Sequence, residues 1–323
     1  MVRMNQAWLI GLCGVLLGAA GCGKPVAEPE RVAPAREAKP LPVISGEAAL
    51  AEVRTFVELG PKDAGTPGAE RAAAYLHQRL RELGVEAEIQ EFHDPSPLGE
   101  AVTFRNVLGR IPGDSGQILL LGSHYDTKTG IAGFEGANDS GSSTGLLLEL
   151  ARALQATGPH PLEIRLAFFD GEECRVEYSP TDGFHGSRHL AATMAADGSL
   201  SNTVAMILLD MIGDRDLTVT IPRNTQPWLA TLAFESAHAE GVRKYFQLYP
   251  YPIGDDHEAF LARGVPAIDL IDFQFGSAPG KNNYWHTAAD SMDKVSAESL
   301  DAVGRTVLRM LDGIARREPA TEK

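Results

Sequence analysis

The run Leu162-Glu163-Ile164-Arg165-Leu166-Ala167-Phe168-Phe169 leads straight into Asp170-Gly171-Glu172-Glu173, so an apolar strand ends in three carboxylates within four residues. Adjacent acids at the mouth of a buried strand repel each other. Charge is tolerable there mainly when a cation binds one acid and a proton in transit occupies the other. On that division Glu173 is a ligand and Glu172 a base. Two solvated acids opening a loop would spell the same letters, so the reading depends on what else the chain supplies.

Upstream, Gln117-Ile118-Leu119-Leu120-Leu121-Gly122-Ser123-His124-Tyr125-Asp126 repeats the arrangement, an apolar strand delivering polar residues at its C-terminal end. Asp126, two residues after His124, is spaced so that it can orient that imidazole as carboxylates do around zinc-bound histidines, although the spacing alone does not require it. Asp139 lies in Gly136-Ala137-Asn138-Asp139-Ser140-Gly141, just before an apolar helix from Thr144 to Leu154, where an aspartate can also be an ordinary N-cap. Val204 to Leu209 is another buried strand, ending in Asp210, and Tyr284-Trp285-His286-Thr287 adds a late histidine. Together His124, Asp139, Glu172, Glu173, Asp210 and His286 offer carboxylate and imidazole ligands, most of them at strand ends. That donor set favours zinc over magnesium or calcium, which rarely use imidazole.

Of the three cysteines, Cys13 lies in the N-terminal apolar stretch, Cys22 follows Ala19-Ala20-Gly21, and Cys174 stands alone, so no intrachain disulfide framework is available. Cys174 reads as a small buried apolar residue. Arg3 followed by the apolar run Ala7 to Ala20 and a small-residue site at Cys22 resembles a bacterial lipoprotein signal. The run is too short for a spanning helix, which needs roughly 20 residues. The expected organisation is a signal peptide over residues 1–21, then a lipidated Cys22 and a proline- and alanine-rich tether over 22–43, then one folded domain over 44–323. Gly23 rather than aspartate after Cys22 resembles an outer-membrane destination, facing the periplasm of a bacterial cell envelope. A net charge of −14 argues against nucleic acid and leaves membrane attachment to the lipid alone.

The periodicity predicts helices at 47–59, 67–83, 141–155, 187–196, 226–240 and 297–315, with strands at 85–92, 102–111, 118–122, 204–211 and 267–271. Strands alternating with helices imply an α/β fold: a three-layer sandwich whose mixed, mostly parallel central sheet is covered by helices on both faces, in a single domain. Such sheets bind ligands beyond the carboxyl ends of their strands, where the candidate metal residues attached to strands fall.

Several blocks in order resemble the zinc-dependent aminopeptidase superfamily and, within it, the glutaminyl-peptide cyclotransferases of animal type, over about Ala48 to Leu311. They are Phe168 to Glu173; a long segment with Tyr178-Ser179-Pro180-Thr181-Asp182 before His185-Gly186-Ser187; Leu208 to Gly213; Asp255-Asp256-His257-Glu258-Ala259-Phe260-Leu261; and Trp285-His286-Thr287. The resemblance implies one zinc per chain on Asp139, Glu173 and His286, and Glu172 as the acid/base that cyclises an N-terminal glutamine to pyroglutamate with loss of ammonia. It places Asp210 and Asp255 in the accompanying hydrogen-bond network and Trp285 on the pocket wall, although a tryptophan there could also merely pack beside a ligand. Tyr178 stands where animal cyclases have tryptophan, and Asp269 where they have histidine, so these two substrate-side positions depart from the pattern. The expected partner is a peptide or protein with an N-terminal glutamine, and the expected state is a monomer. Two other readings stay open: a two-zinc aminopeptidase, with His124 and Asp210 completing the second metal position, and a non-catalytic binding ectodomain.

Overall fold

The computed structural model describes residues 41–317. Helix α1 (Gly46–Val57) starts where the Ser45 hydroxyl accepts from the Ala48 N–H, and α2 (Pro67–Glu82) starts on Thr66 with a proline in its first turn. Both are capping arrangements that satisfy amide groups the helix itself leaves unpaired. Strands β1 (Glu86–Pro95), β2 (Ala101–Ile111) and β3 (Ile118–His124) follow, then α3 (Ser143–Gln155), β4 (Glu163–Phe169), α4 (His185–Ala196) and β5 (Thr203–Asp210). The chain continues through β6 (Val219–Pro222), α5 (Pro227–Ala239), β7 (Phe246–Tyr249), α6 (His257–Leu261), β8 (Ala267–Ile271) and α7 (Ala297–Ala315).

The eight described strands form one sheet in the order β1-β2-β4-β3-β5-β8-β6-β7. The contiguous block β4-β3-β5-β8 is parallel, and β1 and β2 join it antiparallel. Strands β3, β5 and β8 are buried along most of their length, as strands covered on both faces must be. Alternation divides their side chains: Leu119, Leu121, Ile207, Leu209, Ile268 and Leu270 pack with α1, α2, α3, α5 and α7. Leu120, Met206, Leu208 and Ala267 point the other way, against Leu190 and Met194 of α4 and Phe260 of α6. The expected three-layer sandwich is the one observed.

The short elements β6, β7 and α6 carry too few residues for a visible period, and the sequence reading has none of them. Among the described residues no helix is long and apolar enough to cross a membrane. The signal, Cys22 and most of the tether lie outside the described residues.

Candidate active site

Because β3, β4, β5 and β8 run parallel, their carboxyl ends open at one edge of the sheet, and each delivers polar groups there. His124 ends β3, Asp210 ends β5, and Gly171 turns the chain just after β4. Gly171 has φ +69°, and a Cβ there would lie 2.4 Å from the Phe104 ring, so only glycine lets the chain swing Glu172 and Glu173 into the cleft. Asp126 fixes that turn. Its Oδ1 accepts from the Glu172 N–H at 3.1 Å and its Oδ2 from the Glu173 N–H at 3.2 Å, while Oδ1 also stands 3.5 Å from His124 Nδ1. Asp126 therefore stands beside His124 without a hydrogen bond to its Nδ1, and its carboxylate clamps the backbone of the acid pair.

Asp139 is not an N-cap. It sits inside a wide turn, Ala137–Ser142, ahead of α3, and Ser142 rather than Asp139 occupies the cap position of that helix. Its carboxyl points inward, and its backbone is held by Asp290, whose two oxygens accept from the Asn138 N–H at 2.7 Å and the Asp139 N–H at 3.0 Å. His286 reaches the same point from a loop, with φ +52°. Its Nε2 lies 3.0 Å from Glu173 Oε1 and 3.4 Å from Asp139 Oδ2. Asp139, Glu173 and His286 thus offer one ligand atom each within 4.8 Å of one another, and Asp139 Oδ2 is buried with no hydrogen-bond partner. A buried orphaned carboxylate oxygen facing an imidazole and a second carboxylate is what a divalent cation of zinc type satisfies.

His124 belongs to an adjoining group: its Nε2 is 3.2 Å from Asp139 Oδ1 and 3.2 Å from Asp210 Oδ1. The ligands of a second metal position are therefore also assembled. Burial disfavours a charged His124, but Asp126, Asp139 and Asp210 outweigh it and push the imidazole well above its ordinary range. Burial likewise lifts the Glu172 carboxyl well above the ordinary range, with Glu173 and Asp255 adding to the rise. For Glu173 burial also acts upward, but the hydrogen bond and charge of His286 prevail and hold it below. The two adjacent glutamates are thereby driven in opposite directions, one toward holding a proton and one toward holding a cation.

The long segment after Glu173 is folded around Asp182, which accepts from the N–H groups of Arg175, Val176 and Glu177 at 2.8, 2.8 and 3.1 Å. That brings Tyr178 over the acid pair: its hydroxyl is 3.0 Å from Glu173 Oε2 and 3.4 Å from Glu172 Oε2, and its ring stacks on Phe184. A cavity of about 270 Å³ opens in front, floored by Asp139, Glu172, Glu173 and His286, with Asp210 and Asp255 also on its lining. Its walls are Trp285, Tyr178, Phe273, Tyr249, Tyr251 and Ile253. Trp285 therefore faces the cavity, stacked on His286 at 4.0 Å between ring centroids. Asp269, grouped with the substrate-side residues from sequence, does not line the cavity; it is buried in mid-β8 and belongs with Asp255 and His257 instead. Cys174 is buried but not simply apolar, since Lys128 Nζ lies 2.9 Å from its Sγ and 3.5 Å from Glu173 Oε2.

A parallel-centred α/β sheet with imidazole and carboxylate ligands at its strand ends defines a class of metal-dependent enzymes, and the profile of Peptidase family M28 matches residues 106–311. The chain is 32% identical to the glutaminyl-peptide cyclotransferase of Drosophila melanogaster over 267 residues, 75% of this chain and 73% of the relative. Among solved structures it is similar to an Acidobacteriales bacterium glutaminyl cyclase at 35% identity and TM-score 0.82, covering 88% of this chain and all of the other. A Zn-dependent exopeptidase from Parabacteroides distasonis is similar at 27% identity and TM-score 0.76, covering 86% of this chain and all of that one. The chain belongs to Peptidase family M28 and, within it, to the glutaminyl-peptide cyclotransferases.

Proposed function

We propose that the protein is a zinc-dependent glutaminyl-peptide cyclotransferase that converts the N-terminal glutamine of a peptide or protein to pyroglutamate and releases ammonia. The observation that carries the reading is the lining of the cavity: the ligand trio, a glutamate whose burial raises its affinity for a proton, and an aromatic wall converge on one space.

Asp139, Glu173 and His286 would hold the zinc, which when bound supplies Lewis-acid polarisation of the γ-carboxamide oxygen. The remaining work belongs to the chain. Glu172, lifted by burial, takes a proton from the attacking α-amine and gives it to the departing amide nitrogen. Asp210 and Asp255, on the same lining, accept hydrogen bonds from the nitrogen groups as they change charge. Trp285 and Tyr178 press the glutamine side chain into the ring-like pose; because attack is intramolecular, positioning supplies most of what the reaction needs.

The two-zinc aminopeptidase is the second reading, favoured by the assembled His124, Asp139 and Asp210 group. Against it stands the Tyr178 segment, which covers the acid pair that would otherwise activate water. The test is ammonia release from a glutamine-initiated peptide by zinc-stripped and zinc-restored protein: restoration supports the reading, and silence in both opposes it. The same proposal places the enzyme as a monomer at the bacterial outer membrane, facing the periplasm and held by the lipid on Cys22. Support for that placement comes from the sequence of residues 1–23 alone.

A further inference from the structure

The aromatic wall of the cavity continues outward from Trp285 as a chain of rings. Between ring centroids, Phe273 lies 5.4 Å from Trp285, Tyr249 6.1 Å from Phe273, and Tyr251 5.7 Å from Tyr249, the last two contacts being edge-on. These are the spacings of aromatic rings in contact. Trp285, Phe273 and Tyr249 pack, half-buried, against Met211, Ile253 and Phe275, whereas Tyr251 is 63% exposed. A scattered exposed apolar residue is ordinary. Tyr251 instead ends a contiguous aromatic surface that begins beside the ligand trio and lines the cavity throughout.

The segment that carries this ring is braced. Asn224 brackets Ile253, its Nδ2 donating to the Ile253 carbonyl at 2.8 Å and its Oδ1 accepting from the Ile253 N–H at 3.2 Å. The Tyr251 carbonyl accepts from the Arg223 N–H at 3.1 Å. With the backbone tied on both sides of Pro252, the rings stand in place before a ligand arrives, which lowers the ordering cost of binding. Charge on the lining is one-sided: Asp139, Glu172, Glu173, Asp210 and Asp255 contribute to it, and no lysine or arginine does.

We propose that Phe273, Tyr249 and Tyr251 form a binding subsite for the second residue of the substrate, which selects glutamine-initiated chains whose next side chain is aromatic or large and aliphatic and disfavours acidic ones. The proposal rests on the cyclisation reading and deepens it. With the α-amine and γ-carboxamide at the acid floor, the following peptide bond leaves through the open side of the cavity. One extended residue spans at most about 3.3–3.6 Å, so the next side chain meets the rings that follow Trp285. An aromatic side chain gains both buried area and ring contacts there, while a carboxylate meets like charge. The rings stand off the reacting atoms, so this binding is the same in ground and transition states and acts on KM rather than kcat.

The test uses the zinc-restored full chain and three peptides that differ only at the second residue: glutaminyl-phenylalanyl, glutaminyl-glycyl and glutaminyl-glutamyl. Ammonia release should give the phenylalanyl peptide a kcat/KM about tenfold above the glycyl one, carried by KM, with the glutamyl peptide below both. In Tyr251→Ala the ratio of phenylalanyl to glycyl kcat/KM should collapse to within about twofold, and in Tyr251→Phe it should persist. Equal kcat/KM for these two peptides in wild type, or a ratio that survives Tyr251→Ala, would overturn the subsite while leaving cyclisation standing. A glutamyl peptide as good as the phenylalanyl one would overturn it too, since side-chain length alone would then explain the gain. Ammonia from none of the three would overturn the cyclisation reading and the subsite with it.

Discussion

The Tyr178 hydroxyl donates to Glu173 Oε2 at 3.0 Å, so a residue of the segment that closes the cavity is bonded to a residue of the ligand trio. Hydrogen bonds to charged groups contribute about 1.5–3 kcal/mol. Tyr178→Phe should keep the ring and its stacking on Phe184 but lose this bond. The expected result is a fall in kcat/KM of about tenfold, together with weaker zinc retention against a competing chelator.

Glu172→Gln keeps the shape of the acid pair and removes its ability to carry a proton. Bound zinc, measured by elemental analysis, should be unchanged while cyclisation falls by on the order of 10² to 10⁴. Unaltered turnover would refute the assignment of Glu172 as the acid/base.

Asp290 touches neither substrate nor ion, yet it holds the backbone of Asp139 through two N–H groups. Supporting carboxylates of this kind typically contribute 10- to 100-fold in metal affinity. Asp290→Asn should weaken zinc binding by that order, read by chelator competition, with activity recovering at saturating zinc.

Lys62 is fully buried, its Nζ donating to the Gly60 carbonyl at 2.9 Å over the Phe56 ring, and burial pulls its pKa from 10.5 down to about 8. Between those values the unfolded chain holds a proton that the folded chain has released, so stability rises with pH across this window. Below pH 8 the cost of burying the charge is full, roughly 3 kcal/mol. Lys62→Met should therefore be more stable than wild type near pH 7, with the difference in Tm shrinking toward pH 10. A difference independent of pH would show that Lys62 is not the source.

The large elements were legible because their chemistry repeats: α2 and α7 carry apolar residues at helical spacing between clear caps, and β3, β5 and β8 are apolar runs ending in polar residues. Glu172 and Glu173 were legible because a strand end delivers them, whereas Asp139, in a turn ahead of α3, and His286, in a loop, take a ligand role only through the family resemblance. What escaped the sequence lies in the supports. Asp290 is 151 residues from Asp139, and nothing in Ala289-Asp290-Ser291 signals a carboxylate aimed at two distant amides. Asp182 acts through a local turn that looks like any surface loop. The resemblance sets Asp269 on the substrate side, but sequence does not show that a layer of side chains separates mid-β8 from the cavity.

The central claim is that this cavity cyclises glutamine rather than removing a residue. Incubating the protein with a glutamine-initiated and a leucine-initiated peptide, and following both by mass, tests it most directly. The account predicts that the first loses one ammonia with its length unchanged while the second stays intact. Shortening of the leucine-initiated peptide by one residue, with the glutamine peptide unmodified, would contradict it.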